Sequence, residues 1–209
     1  MSKARTTVFL VDDDHAVRDA LELLLEATGL HTVSYATAAG FLEHYDPEQS
    51  GCLVLDIRMP GMSGMELQDA LVAREVSLPI IFLTGHGNVS MSARAFRTGA
   101  IDFMEKPFDE GVLLERIHEA IRLDQRWRES AAHQRQASMR LSSLTPREHE
   151  IMLLIVAGHT NKEIAARLEL STRTVETHRG RIMDKTGVQS VTELVELAVI
   201  GGVYELQRR

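Results

Sequence analysis

Thr7-Val8-Phe9-Leu10-Val11-Asp12-Asp13-Asp14 is the stretch that decides how this chain is read. A run of β-branched and apolar side chains without polar alternation is what a strand buried on both faces requires, as in a parallel sheet covered by helices. The carboxylates that end it stand where an open α/β sheet binds ligands, beyond the carboxyl ends of its strands. Working outward, four more segments have strand length: 31–35, 52–57, 79–84 and 101–105. Three are apolar; 31–35 is more polar and fits a sheet edge. Amphipathic stretches lie between them, the clearest carrying Val17, Leu21, Leu24 and Leu25. Five strand–helix repeats predict a doubly wound α/β fold around a five-stranded parallel sheet, with right-handed crossovers.

The charge is unevenly spread. The net charge of −7 divides into −9 over residues 1–122, +2 over 123–143 and 0 over 144–209. An acidic first half beside a neutral second half predicts two domains with different partners. The hydrophobic content of 44% is enough for real cores. The single cysteine, Cys52, excludes an intramolecular disulfide and reads as a small core residue. No apolar stretch approaches the roughly 20 residues that cross a bilayer, and Val8–Val11 is too short for a secretory leader. A cytoplasmic protein without membrane contact is expected.

A fifth helix should begin at Asp109, a good N-cap, with an apolar stripe of Leu113, Leu114, Ile117 and Ile121. The stripe fades after Trp127. Residues 128–140 are polar and contain neither Gly nor Pro, which favours a solvated linker helix over a disordered linker. Beyond it, Thr145-Pro146-Arg147-Glu148, Thr160-Asn161-Lys162-Glu163 and Ser190-Val191-Thr192-Glu193 read as capping boxes, and Ser171 as a further N-cap. Gly158, Gly187 and Gly201 fall where helices should stop. The expectation is four short helices over 146–157, 161–168, 172–186 and 191–200, the second and third joined by a helix-turn-helix turn. The expected domains are 1–122, a linker over 123–143, and 144–209.

Carboxylates from different strands meet at one edge of the predicted sheet: Asp12 and Asp13 after strand one, Asp56 at strand three. Thr84 ends strand four, before Gly85-His86-Gly87, and Lys106-Pro107 follows strand five. Each alone has an ordinary reading, as a helix cap, a turn residue or a solvated lysine, and Asp14 fits the cap. Together they make an oxygen-rich anionic pocket with one ammonium. Two unit charges ~4 Å apart repel by about 4 kcal/mol at an effective dielectric near 20, which a divalent cation relieves. Oxygen-only donors suit Mg2+. One carboxylate can then attack phosphorus.

In these motifs residues 7–122 resemble the receiver domains of two-component response regulators, a flavodoxin-like fold. The carriers are Val11-Asp12-Asp13-Asp14, the segment from Leu55 through Asp56 to Gly64, Thr84-Gly85-His86-Gly87, and Asp102-Phe103-Met104-Glu105-Lys106-Pro107-Phe108. The resemblance implies that Asp56 is the phosphoacceptor and that Asp12, Asp13, Asp56 and the backbone carbonyl of Arg58 hold Mg2+. It further implies that Thr84 and Phe103 form the switch, that Lys106 offsets phosphoryl charge, and that Lys106-Pro107 is cis.

Residues 142–203 resemble the four-helix module of LuxR/FixJ-type transcription factors, through Leu144-Thr145-Pro146-Arg147-Glu148, the segment 158–165, and Arg173-Thr174-Val175-Glu176-Thr177-His178-Arg179. The whole chain is similar to FixJ-like regulators. Val175, Ile182 and Met183 should face inward. Lys162, Arg173, Thr174, Glu176, Thr177, Arg179 and Arg181 are candidate DNA contacts, and Lys185 is either another or a solvated side chain. Glu176 stands where the wider superfamily is often basic. His178 should pack or hydrogen-bond within the fold. The resemblance implies a sensor histidine kinase as phosphodonor, promoter DNA and RNA polymerase as partners, and activation of transcription. It also implies a homodimer formed on phosphorylation through the fourth helix and fifth strand, placing two DNA-binding domains about one helical turn apart. Two other readings use the same residues: a phosphorylation-independent DNA-binding regulator, and an aspartate-nucleophile phosphohydrolase. The latter is disfavoured because Arg58 stands where a second catalytic acid is needed.

Overall fold

The computed structural model describes residues 5–85 and 99–204. The chain divides into two compact units, residues 1–128 and 129–209. In the first, β1 (Thr7–Val11), β2 (His31–Tyr35), β3 (Gly51–Asp56), β4 (Ile80–Thr84) and β5 (Asp102–Glu105) form one parallel sheet in the order β2-β1-β3-β4-β5. The central strands β1, β3 and β4 are buried at every position, which is why their sequences are continuously apolar. β2 and β5 lie at the edges and are only partly buried.

The pleat sends alternate residues to opposite faces. Phe9, Val11, Leu53, Leu55 and Phe82 pack on one side with Phe41, Leu67 and Leu71. Val8, Leu10, Cys52, Val54, Ile81 and Leu83 pack on the other with Leu21, Leu25, Leu113 and Ile117. The helices that supply these partners are α1 (His15–Ala27), α2 (Ala38–His44), α3 (Gly64–Ala73) and the start of α4 (Glu110–Ser142). Asp14 caps α1 by accepting from the Ala16 N–H at 2.9 Å, and Asp109 accepts from Val112 N–H at 3.0 Å at the start of α4. The helix expected between β4 and β5, with His86 and Gly87, lies outside the described residues.

α4 continues without a break to Ser142, so the polar stretch 128–140 is helix and not coil. Asp124, wholly buried on it, accepts the Gly51 N–H at 2.9 Å and the Arg128 Nε at 2.9 Å. The Arg128 guanidinium also donates to the carbonyls of Pro47, Glu48 and Gln49. One ion pair thereby satisfies the backbone of the turn that leads into β3.

The second unit contains α5 (Pro146–Val156), α6 (Asn161–Arg167), α7 (Thr172–Thr186) and α8 (Val191–Ile200). The expected solvated linker needs correction here: Ala137 and Leu141, four residues apart on α4, are buried with Ile151, Met152, Ile182 and Leu194. The end of α4 is a wall of this core. Capping boxes form at Thr145/Glu148 and Thr160/Glu163. At Ser190 the box is altered, because the Glu193 carboxylate accepts from the Gln189 N–H at 3.0 Å rather than from the cap's own. Gly201 has an ordinary helical φ of −74° and Gly202 takes the left-handed turn at +72°. Gly201 is closely packed instead: a Cβ there would lie 2.5 Å from Leu141 Cδ1 and 3.1 Å from the Leu197 carbonyl oxygen, so a side chain could enter only if Leu141 moved.

Glu148 does more than cap α5. Its Oε2 also accepts from Lys185 Nζ at 2.6 Å, tying α7 to α5. The Lys185 ammonium, then the Thr145 N–H, holds the Glu148 carboxyl down at about 2 from its ordinary 4.5.

Two expectations follow. Asp124→Ala leaves the Gly51 N–H and the Arg128 guanidinium without their buried partner. It should lower the stability of the first unit by about 2–3 kcal/mol in urea unfolding followed by Trp127 fluorescence, whereas an unchanged midpoint would show the pair to be dispensable. The depressed Glu148 carboxyl contributes stability that is complete above its unfolded value of about 4.5 and lost as pH falls toward about 2. Glu148→Gln should therefore melt below wild type near neutral pH, with the gap closing on acidification, as followed by far-ultraviolet circular dichroism. The gap should be narrower at about pH 3 than at about pH 5 and nearly gone near about pH 2; a gap of constant size from about pH 5 to about pH 2 contradicts the assignment.

Candidate functional site

The parallel register brings the ends of β1, β3, β4 and β5 to one edge: Val11 pairs with Leu55, Asp56 with Leu83, and Thr84 with Glu105. Asp12 follows β1, Asp56 ends β3, Thr84 ends β4, and Lys106 follows β5. The Lys106 N–H donates to the Thr84 carbonyl at 2.7 Å, which fixes the start of its side chain beside β4. Its Nζ then donates to Asp12 Oδ2 at 2.6 Å and Asp56 Oδ1 at 2.9 Å. The remaining carboxylate oxygens are also satisfied, Asp12 Oδ1 by the Asp14 N–H and Asp56 Oδ2 by the Arg58 N–H at 2.7 Å.

Asp12, Asp56 and Thr84 are buried. Burial pushes the Asp56 carboxyl above its ordinary value, with the Lys106 hydrogen bond working in the opposite sense. Burial pulls the Lys106 ammonium down, but its bonds to Asp12 and Asp56 outweigh this and the net value is raised. Lys106-Pro107 is cis. Phe103, opposite Phe82 on the neighbouring strand, is half-buried against the apolar layer on its side of the sheet.

Asp12 and Asp56 share the Lys106 ammonium, whereas Asp13 is placed differently. Asp13 is exposed and lines an open cleft of about 660 Å³ with Ile57, Arg58, Met59, Pro60, Ser63 and Met65. Among the described residues no three His, Cys, Asp or Glu side chains are grouped as a metal site. The Lys106 ammonium sits between Asp12 and Asp56 and offsets the charge of these two buried carboxylates.

Two residues escaped the sequence reading. Arg18 Nη1 on α1 donates to the Asp12 carbonyl at 2.7 Å and anchors the loop after β1. Gly64 lets α3 start against β3, since a Cβ there would lie 2.2 Å from the Asp56 carbonyl oxygen. The glycine itself was the only available signal for the second; nothing local marks Arg18.

In the second unit, Arg173, Glu176, Thr177, Gly180 and Arg181 form an exposed stripe along α7 at helical spacing, while Val175 and Ile182 face the core. Arg179 flanks the stripe half-buried, and Lys162 on α6 is exposed. Thr174 is half-buried with its hydroxyl 2.7 Å from Ser171 Oγ, and the Thr177 hydroxyl donates to the Arg173 carbonyl. Two basic side chains are taken up by the fold: Lys185 by Glu148, and Arg147 by the Leu168 carbonyl at the end of α6. His178 packs with its Nδ1 buried and without a hydrogen-bond partner among the described residues.

Residues 8–118 match the family described as response regulator receiver domain, and residues 142–198 match the bacterial regulatory proteins of the luxR family. The transcriptional regulatory protein FixJ of Bradyrhizobium diazoefficiens is 38% identical over 94% of this chain and 96% of its own length. The solved structure of the response regulator StyR is 45% identical, covers 94% of this chain and 99% of its own, and superposes with a TM-score of 0.84. Full-length FixJ from B. japonicum is 37% identical over 97% of this chain and all of its own, with a TM-score of 0.58. A five-stranded parallel sheet, a long helix and a helical C-terminal unit thus occur in the order of the two family matches. The chain belongs to the two-component response regulators that join a receiver domain to a LuxR-type helix-turn-helix domain, and it acts as a transcription factor.

Proposed function

We propose that Asp56 is the phosphoacceptor and that its phosphorylation by a sensor histidine kinase controls binding of promoter DNA by α6 and α7. The observation that carries this reading is the Lys106 ammonium bound at once to Asp56 and Asp12 at the carboxyl ends of the strands. An Asp56 oxygen attacks phosphorus in a phosphohistidine; the P–O bond forms as the P–N bond breaks, and the imidazole leaves. Lys106 then exchanges its Asp56 oxygen for a phosphoryl oxygen while keeping Asp12. Thr84, buried at the end of β4, donates its hydroxyl to the phosphoryl group, and Phe103 on β5 moves with it.

The donor chemistry of this edge fits a hard divalent cation, because every candidate ligand is an oxygen: Asp13 at the cleft, the Asp12 and Asp56 carboxylates, and the Arg58 carbonyl. Bound Mg2+ would supply neutralisation of the charge shared by the carboxylates and the incoming phosphoryl group. The protein performs no turnover beyond phosphorylation and dephosphorylation of its own aspartate.

The exposed stripe Arg173, Glu176, Thr177 and Arg181 is suited to base edges and phosphates, with Arg179, Thr174 and Lys162 beside it. Since 144–209 carries no net positive charge, two copies must combine for useful affinity. A homodimer formed on phosphorylation through the β5 face, together with the fourth helix that the sequence leads one to expect before β5, meets that need. Recruitment of RNA polymerase and activation of transcription complete the reading, in a cytoplasmic protein; no helix among the described residues is long and apolar enough to cross a membrane.

Intact mass after incubation with a small phosphodonor and magnesium should show one added phosphoryl group on wild type and none on Asp56→Asn. The same treatment should tighten DNA binding by wild type alone. Equal binding by Asp56→Asn and phosphorylated wild type would defeat the proposal. Magnesium at millimolar concentration should raise the melting temperature of wild type. Asp13→Ala should lose most of that rise, and Lys106→Met should enlarge it, because the cation then faces Asp12 and Asp56 without a competing ammonium. A magnesium response in Asp13→Ala equal to that of wild type would remove Asp13 from the ligand set.

A further inference from the structure

We propose that Arg140, on the last turn of α4, is a positioning residue for DNA recognition that fixes the C-terminal end of α7. The proposal rests on the reading of α7 as the helix that meets the bases. Arg140 Nε donates to the Thr186 carbonyl at 2.6 Å. The final carbonyls of a helix lack intrahelical donors and carry partial negative charge, so a cation held there is favourable on both counts. The Thr186 side chain does not compete, because its hydroxyl turns back to the Ile182 carbonyl at 2.6 Å. The chain then turns left-handed at Gly187, where a Cβ would lie 3.4 Å from Arg140 Nη2.

The attachment is built in. Ala137 and Leu141, flanking Arg140 on α4, are buried in the core that also holds Val175 and Ile182 of α7. On another side of the same turn, Lys185 binds Glu148 at the start of α5. The C-terminal end of α7 is thus pinned twice, by bonds to α4 and to α5. Its N-terminal turn is held by the Ser171 cap and bears the exposed Arg173 and Glu176.

Leverage makes this matter. α7 has 15 residues and is about 22 Å long. A tilt of about 5° about its far end moves the first turn by about 2 Å, beyond the few tenths of an ångström that base-edge hydrogen bonds tolerate. Phosphate contacts made by flexible arginines survive such a shift. Loss of Arg140 therefore costs sequence discrimination more than affinity for DNA in general.

The test uses the full-length phosphorylated protein and a duplex selected by the wild type from a random-sequence pool, beside an unrelated duplex of equal length. Arg140→Met should weaken binding to the selected duplex about tenfold or more and leave the unrelated duplex unaffected. The slope of log affinity against log salt should not change, because no phosphate contact is lost. Arg140→Lys, which keeps a cationic donor, should recover most of the discrimination. Unchanged selected-duplex affinity in Arg140→Met would overturn the proposal, as would equal losses on both duplexes, the mark of a merely structural role. A salt slope reduced by about one would assign Arg140 to a phosphate instead. Arg179→Ala and Arg173→Ala test the underlying reading separately: if neither alters binding to either duplex, α7 is not the reading helix, and the proposal falls with that assignment.

Discussion

A single ammonium between two buried carboxylates is the constraint on which the receiver half depends. Asp12, just after β1, and Asp56, at the end of the adjacent β3, are both withdrawn from water. Without a counter-charge, two such groups ~4 Å apart would repel by about 4 kcal/mol at an effective dielectric near 20, comparable to the whole margin of a small domain. Lys106 removes that cost, and it can do so only because β5 lies beside β4 and its backbone N–H is fixed to the Thr84 carbonyl. The arrangement is also poised for chemistry. An ammonium that bridges two carboxylates can give up one oxygen for a phosphoryl oxygen while keeping the other, so pocket neutrality and phosphoryl capture use the same side chain.

The sequence made the layers legible because burial dictates composition. β1, β3 and β4 are covered on both faces, so their residues had to be apolar throughout, and their positions could be read to within a residue. Helix starts were legible for a different reason. A cap joins residues two or three apart, as in Asp14 with Ala16 or Thr145 with Glu148, so its signal survives without tertiary information. The altered box at Ser190 marks the limit of that signal, since which backbone N–H a carboxylate reaches depends on the path of the preceding turn.

What could not be read was long-range electrostatic pairing. Charge repulsion among the aspartates was visible, and a metal ion was the natural remedy. That Lys106, 50 residues from Asp56, reaches between two of them while Asp13 stays outside follows only from the folded register. The same limit applies in the second half. A count of basic residues over 144–209 treats all of them as available to DNA, yet Lys185 is bound to Glu148 and Arg147 caps α6. Composition cannot separate cations spent on helix ends from cations left for a partner. Burial and hydrogen bonding can.

α4 shows how one helix changes its work along its length without changing its form. Its first turns bury Leu113, Ile117 and Ala120 against the sheet, and Asp124 with Arg128 closes that section by satisfying backbone groups of the turn before β3. Residues 129–136 are exposed and need only good helical propensity to continue a helix already nucleated, since adding a residue to an existing helix is far easier than starting one. At Ala137 the apolar stripe returns, now as part of the second core. A coil over 129–136 would satisfy the same composition, but it would need a breaker or a second helix start, and the sequence offers neither there. The helical middle therefore follows from its ends: each is fixed by burial, and the polar segment between them has no breaker with which to refuse.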